Sequence, residues 1–357
     1  MNYKPLLLAL LLVATNAVAQ SPYINKVYEF RPAPGQFVGV LPAYEEGDTE
    51  QTMAEKASAC LANNNREVIS LGGYGGYVIF GFDHPVVNVP GEYDLQIDGN
   101  AFYAASNPNQ TTRPGGSAEP GIVMVSRDVN GNGLPDDPWY ELAGSEYYKP
   151  TTHRDFAITY ERPAADHQAT PRPKTPITDS TFVHWTSSLG TEGYVEQNSY
   201  HRQNYYPDWI TEDRMTFTGT LLPQNAVDES GKGTYYVLYC YDWGYVDNHP
   251  NGTTLSQFNL DWAVDAKGNS VFLSRIDFVK VYTAVCQQAG WLGETSTEVA
   301  GAEDLHPTAT TDLEDGLDNL APYSAPAGGN AYSLSGAVWQ GAHRGIIIQN
   351  GKKYMHK

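Results

Sequence analysis

The chain reads as a mainly β protein, a sandwich or barrel with one short helix and long loop insertions. Three observations predict this. Its apolar segments are short and rich in β-branched and aromatic residues. Gly, Pro, Asn and Asp punctuate them, with 34 Gly and 23 Pro in 357 residues. The 3.6-residue apolar period of a helix shows clearly in one place only. No repeat of 20–50 residues is visible, which argues against propellers and solenoids.

At the N-terminus, Lys4 precedes an unbroken apolar run, Leu6 to Val13, and then Ala17-Val18-Ala19. That order predicts a secretory signal peptide over residues 1–19, cleaved after Ala19. The run is too short for a spanning helix, which needs about 20 apolar residues, so no transmembrane segment is expected after cleavage. No Cys adjoins the site to carry a lipid. Asp48 with Gln51 resembles a capping box and starts a helix to about Leu61, with Met53, Ala57, Cys60 and Leu61 on one face. Strands are expected at 67–71, 76–82, 93–97, 122–126, 156–160, 215–220, 234–241 and 271–281. Residues 22–305 thus form the β domain, interrupted by an aromatic-rich insertion. The segment 306–330, rich in Thr, Asp, Pro, Ala and Gly, reads as a flexible linker. Residues 331–357 read as a short β tail with a turn at Asn350-Gly351.

The net charge of −19 excludes nucleic acid as a partner and suits cation binding. Cys60, Cys240 and Cys286 are too few for a disulfide framework and suit no zinc site by spacing. Gly72-Gly-Tyr-Gly-Gly76 lacks the Lys and helix of a phosphate loop, so it reads as close packing or a bulge. No nucleophile elbow or paired zinc histidines occur.

The sharpest chemical pattern is Asp128-Val-Asn130-Gly-Asn132-Gly133-Leu134-Pro-Asp136-Asp137. Oxygen ligands at positions 1, 3 and 5, Gly at 6, a Leu134 carbonyl at 7, and Asp136 or Asp137 beyond describe a loop for Ca2+. Position 12 is Trp139, so the match to a full EF-hand is partial, with Glu141 as a substitute ligand. A plain hairpin turn built from two Asn-Gly pairs is the alternative. Aromatics cluster at Tyr200–Trp209 and Tyr235–Tyr245. Tyr205, Tyr206, Trp209 and Trp243 are the candidate ligand platform, with core packing as the alternative.

The stretches Ile69-Ser-Leu-Gly-Gly-Tyr-Gly-Gly-Tyr-Val78, Gly99-Asn-Ala-Phe102, Glu119-Pro-Gly-Ile-Val-Met-Val125, Trp139-Tyr-Glu-Leu-Ala-Gly-Ser145 and Gly290-Trp-Leu-Gly-Glu-Thr-Ser-Thr-Glu298 resemble a family of secreted cell-surface proteins of Bacteroides-type bacteria. The local pattern is also similar to galactose-binding-like jelly rolls. That resemblance implies a jelly-roll β-sandwich and a second cation site from Asp98, Asn100 and Glu119. Asp179-Ser180-Thr181 resembles an O-glycosylation acceptor of exported proteins, and the C-terminal tail is similar to a type IX secretion sorting domain. The functional expectation is a secreted or cell-surface, calcium-stabilised protein that binds a glycan or other small ligand. The alternatives are an accessory part of a TonB-type nutrient or corrinoid uptake system, with an outer-membrane protein as partner, and a glycoside hydrolase.

Overall fold

The computed structural model describes residues 20–310 and the backbone of strands Tyr332–Ser333, Gly345–Gln349 and Lys352–His356. The expected signal peptide and most of the expected linker lie outside the described residues. The chain divides into two units, 1–308 and 309–357. In the second, the last two strands pair as an antiparallel hairpin, and the first joins its edge.

The first unit is mainly β, but its sheets are arranged as a four-bladed β-propeller. The jelly-roll sandwich is therefore wrong, and so is the argument against a propeller. Four sheets of three or more strands make up the blades. The largest runs Lys26–Arg31, Tyr77–Gly81, Phe278–Thr283, Gly121–Ser126, Trp139–Leu142 and Ala263–Val264, antiparallel throughout. A second joins Glu192–Asn198, Ile177–Ser187, His153–Glu161 and Arg214–Leu221. A third joins Ala226–Asp228, Tyr236–Tyr239, Gly115–Ser117 and Phe102–Tyr103. The fourth sets Leu95–Asp98 between Gln257–Phe258 and Gly301–Asp304. Most of these sheets collect strands from distant stretches of sequence, so no blade-length repeat is written in the chain. Of the two aromatic clusters, Tyr200–Trp209 lies in the connection between Glu192–Asn198 and Arg214–Leu221, and Tyr235–Tyr245 contains Tyr236–Tyr239 of the third sheet.

The helix spans Glu50–Leu61 and is capped one residue later than the sequence suggested. Thr49 accepts from the Thr52 amide at 3.3 Å, and Thr52 Oγ1 accepts from the Thr49 amide at 2.8 Å. Asp48 instead pairs with Lys56 at 2.6 Å. Met53, Ala57 and Leu61 are buried against the large sheet, with Cys60 half-buried beside them. All three cysteines are free thiols, and burial pushes them up, to about 11 for Cys60 and about 12 for Cys240 and Cys286. Thiols held that high are poor nucleophiles.

The glycine run at 72–76 is a close approach of two backbone segments. A Cβ on Gly76 would sit 1.9 Å from the Leu71 carbonyl oxygen and 2.2 Å from the Ala33 nitrogen. Gly76→Ala is expected to cost on the order of 3 kcal/mol, read from urea unfolding. A change below 0.5 kcal/mol would show that this approach is loose.

Candidate functional site

The candidate site is a cleft of about 690 Å³ between the third blade and three loops. One wall comes from Phe102 and Ser117 on that blade, with Tyr235 beside it. A second comes from the loop bearing Tyr200 and His201, and a third from the turn 290–295. Two well-exposed aromatics line the cleft: Tyr200 is 63% and Phe102 58% exposed. Tyr200 meets Trp291 edge to face with centroids 6.2 Å apart, and Phe37 meets His201 in the same way at 4.6 Å. Flat, apolar faces held at a rim with carboxyls below suit ring-shaped, hydroxylated ligands.

Short-range chemistry explains why Trp291 stands where it does. Gly290 and Gly293 bracket it, both at positive φ, 54° and 93°. A Cβ on Gly290 would lie 2.5 Å from the Tyr236 ring, so only glycine lets the turn press against the blade. Gln36 then fastens the turn. Its side-chain amide donates to the carbonyls of Leu292 at 3.0 Å and Glu294 at 2.6 Å, and its backbone N–H donates to Glu294 Oε2 at 2.9 Å. Asn198 Nδ2 in turn donates to Gln36 Oε1 at 2.8 Å, tying the Tyr200 loop to the same post.

The cleft floor carries acids that have no basic partner among the described residues. Glu119 and Glu294 both line it. Behind Glu119 stand Asp247 and Glu298, the three carboxyls having oxygens within 4.8 Å of one another. Asp247 is held by backbone: Oδ1 accepts from the amides of Asn100 and Ala101, both at 2.7 Å, and Oδ2 from that of Glu298 at 3.0 Å. Gly99 admits this carboxylate, since a Cβ there would lie 2.5 Å from Oδ1. Ser296 donates to Glu298 Oε1 at 3.0 Å, and Ser117 to Glu119 Oε2 at 3.3 Å. Burial raises all four carboxyls, with mutual repulsion adding to it at Glu119 and Glu298. Asp247 and Glu294 are pushed up to about 7, and Glu119 and Glu298 well above the usual range. Glu119 is only half-buried by surface area because one side meets the cleft, yet its carboxyl is enclosed by protein and behaves as a buried group.

The structure places the sequence-predicted residues differently. Tyr205, Tyr206 and Trp209 are core residues at 0, 0 and 6% exposure, so they are not a ligand platform. They position the loop instead. The Tyr205 hydroxyl donates to the His201 carbonyl at 3.1 Å, and Tyr206 to that of Glu212 at 2.7 Å. Trp243 is 38% exposed but packs on Trp262 at 4.7 Å and does not line the cleft. Of the second cation group, Asn100 and Glu119 do meet, at the Asp247 cluster, while Asp98 is taken by Arg66 and Gln96. Asp179 is buried and accepts from Thr170 and Thr181, so its motif is engaged in local structure.

The loop 128–137 joins two neighbouring strands of the large sheet and stands exposed. Asp128 Oδ1 accepts from the amides of Gly131 and Asn132, and Oδ2 from that of Gly133, at 2.7–3.1 Å. Asn132 Oδ1 accepts from Leu134 at 2.7 Å, and Asp137 Oδ2 from Val129 at 2.9 Å. Gly131 and Gly133 take positive φ, 72° and 73°. Inward-wrapped oxygens of this kind suit a hard cation. Against that, Asp136 accepts from the side-chain amides of Asn130 and Asn132, which also serves a plain turn. Glu141 does not complete the shell. It is half-buried in its strand with its carboxyl enclosed by protein, accepts from Thr220 Oγ1 at 2.7 Å and is pushed up to about 7 by burial.

No protein-family model matches the chain, and no curated protein matches it. Phe102, Trp291 and Glu294 of the cleft escaped sequence reasoning, as did Asp247 and Glu298 behind it. The signal available was a tryptophan flanked by Gly290 and Gly293, followed by two acids among small hydroxyl residues with no nearby base.

Proposed function

We propose that this is a secreted or cell-surface binding protein whose cleft takes a glycan or a similar small ring-bearing ligand. The observation that carries this reading is the aromatic rim, with Phe102 and Tyr200 exposed and Trp291 half-buried, set over a floor of buried carboxyls. The volume falls within the roughly 300–1,000 Å³ of small-molecule sites. A corrinoid is larger than such a cleft encloses, so an uptake role would engage only part of that ligand here. A glycan array with a parallel corrinoid titration, followed by tryptophan fluorescence, tests the reading. Binding of one glycan class with a change in emission is expected. Silence from every glycan, or saturable binding of the corrinoid alone, would refute it.

The loop 128–137 is proposed as a structural Ca2+ site of extracellular strength, with Kd on the order of 10⁻⁴–10⁻³ M. The cation would draw together Asp128, Asn130, Asn132 and Asp136 or Asp137, with the Leu134 carbonyl. Calcium at a hundredfold excess over Kd should stabilise the fold by about 2.7 kcal/mol. Asp128→Ala should abolish that increment in a thermal melt. An unchanged calcium response in the variant would remove the site.

A further inference from the structure

Lys280 stands in the middle of the largest sheet. Its strand, Phe278–Thr283, runs between Tyr77–Gly81 and Gly121–Ser126, and the lysine lies opposite Ile79 on one side and Met124 on the other. Residues opposite one another share a face, so the lysine stem is flanked by two apolar side chains. Its Nζ lies 3.8 Å from the centroid of the Tyr77 ring. Among the described lysines it alone is neither exposed nor ion-paired. Lys56 pairs with Asp48 at 2.6 Å and Lys149 with Glu146 at 2.7 Å, while Lys26, Lys174, Lys232 and Lys267 are exposed. Lys280 is half-buried and its Nζ takes no hydrogen bond, yet that atom is not enclosed, in contrast to the partnerless Tyr74 hydroxyl and Trp209 indole nitrogen. A small solute can therefore reach it.

An ammonium among apolar neighbours has lost water without gaining an anion, which favours the neutral amine. Burial accordingly pulls Lys280 below the usual lysine range. The Tyr77 face and the Glu29 carboxylate offset part of that cost, and Glu29 is already engaged by the Tyr77 hydroxyl, which donates to it. Phe217 of the second sheet meets Tyr77 edge to face at 6.3 Å and brings no charge. We propose that Lys280 is a covalent attachment site for a small aldehyde, held as a Schiff base. The amine nitrogen attacks the carbonyl carbon, and one of its protons passes to the carbonyl oxygen. The carbinolamine then loses that hydroxyl with the second nitrogen proton as water, leaving a C=N bond. Lys280 is no part of the aromatic cleft lining, so the site stands whether or not the cleft binds a glycan.

Treating the full chain with glycolaldehyde and cyanoborohydride at pH 7, then locating the hydroxyethylated lysines by peptide mass, tests this. Lys280 should be labelled at least about tenfold faster than Lys174 or Lys232, since each pH unit by which an amine's titration falls multiplies its neutral fraction about tenfold. In guanidinium chloride the preference should vanish, because the unfolded chain leaves every lysine in water. Glu29→Gln keeps an acceptor for Tyr77 but removes the charge that acts on the amine, and should speed labelling of Lys280 further. Labelling of Lys280 no faster than that of the exposed lysines, a preference that survives unfolding, or no acceleration in a folded Glu29→Gln would each overturn the proposal.

Discussion

Asp247→Ala should unfold most of this protein at ambient temperature. Its carboxylate is the common acceptor for three buried backbone amides, those of Asn100, Ala101 and Glu298. These lie on separate stretches of chain, so one side chain fastens the Gly99–Ala101 segment to the strand that carries Glu298. Alanine would leave all three donors buried without partners, at roughly 3–6 kcal/mol in total. That is comparable with the whole stability of a typical domain. Asp247 also sits at φ 55°, a conformation that Asn tolerates and alanine does not. Asp247→Asn should therefore lose about half as much, because it keeps one acceptor and the backbone conformation while presenting a donor to the Glu298 amide. Denaturant unfolding that found the two variants equally stable would contradict this account.

The second large effect is on pH. Asp247, Glu294 and Glu141 are pushed up to about 7 in the folded protein, and Glu119 and Glu298 well above their usual range. In the unfolded chain carboxyls titrate near 4. Between about pH 4.5 and 7 the folded state therefore holds more protons than the unfolded state. Stability must fall as pH rises through that window. For carboxyls moved as far as Glu294 and Asp247 the loss is on the order of 3 kcal/mol apiece. Carboxyls held low, such as Asp228 by Ser230 and Asp265 by Asn269, act the opposite way, and their contribution is lost only in more acidic solution. The melting temperature in calcium-free buffer should thus peak near pH 5 and decline towards pH 8. A melting temperature that rose across the same interval would mean that the cluster is neutralised by something other than protons.

Local chemistry was readable from sequence wherever neighbours in the chain decide it. The helix at 50–61 formed within one residue of its expected start, because capping depends on four consecutive residues. The strands at 77–81, 121–126 and 214–221 followed from β-branched and aromatic runs. Blade assembly was not readable, because Lys26–Arg31, Tyr77–Gly81 and Phe278–Thr283 become neighbours only after the chain has crossed the molecule. The aromatic loop shows a finer failure. Tyr200 and Tyr205 are five residues apart with the same chemistry, yet one is 63% exposed and the other fully buried. Composition alone cannot separate them. Glu294 and Glu298 were invisible for another reason: acids are presumed exposed unless a partner base is seen, and no base pairs with them among the described residues.

The most direct test of the central claim, that the aromatic cleft holds the ligand, is a comparison of ligand affinity in the parent chain and in Trp291→Ala, Tyr200→Ala and the double variant. Each ring sits at the cleft rim and touches the other, so the losses should be subadditive. Calorimetry should show each single change weakening the best glycan about tenfold and the double variant weakening it by more than either single change but by less than about a hundredfold. Affinity held within twofold of the parent by the double variant, with the fold intact, would place the binding site elsewhere.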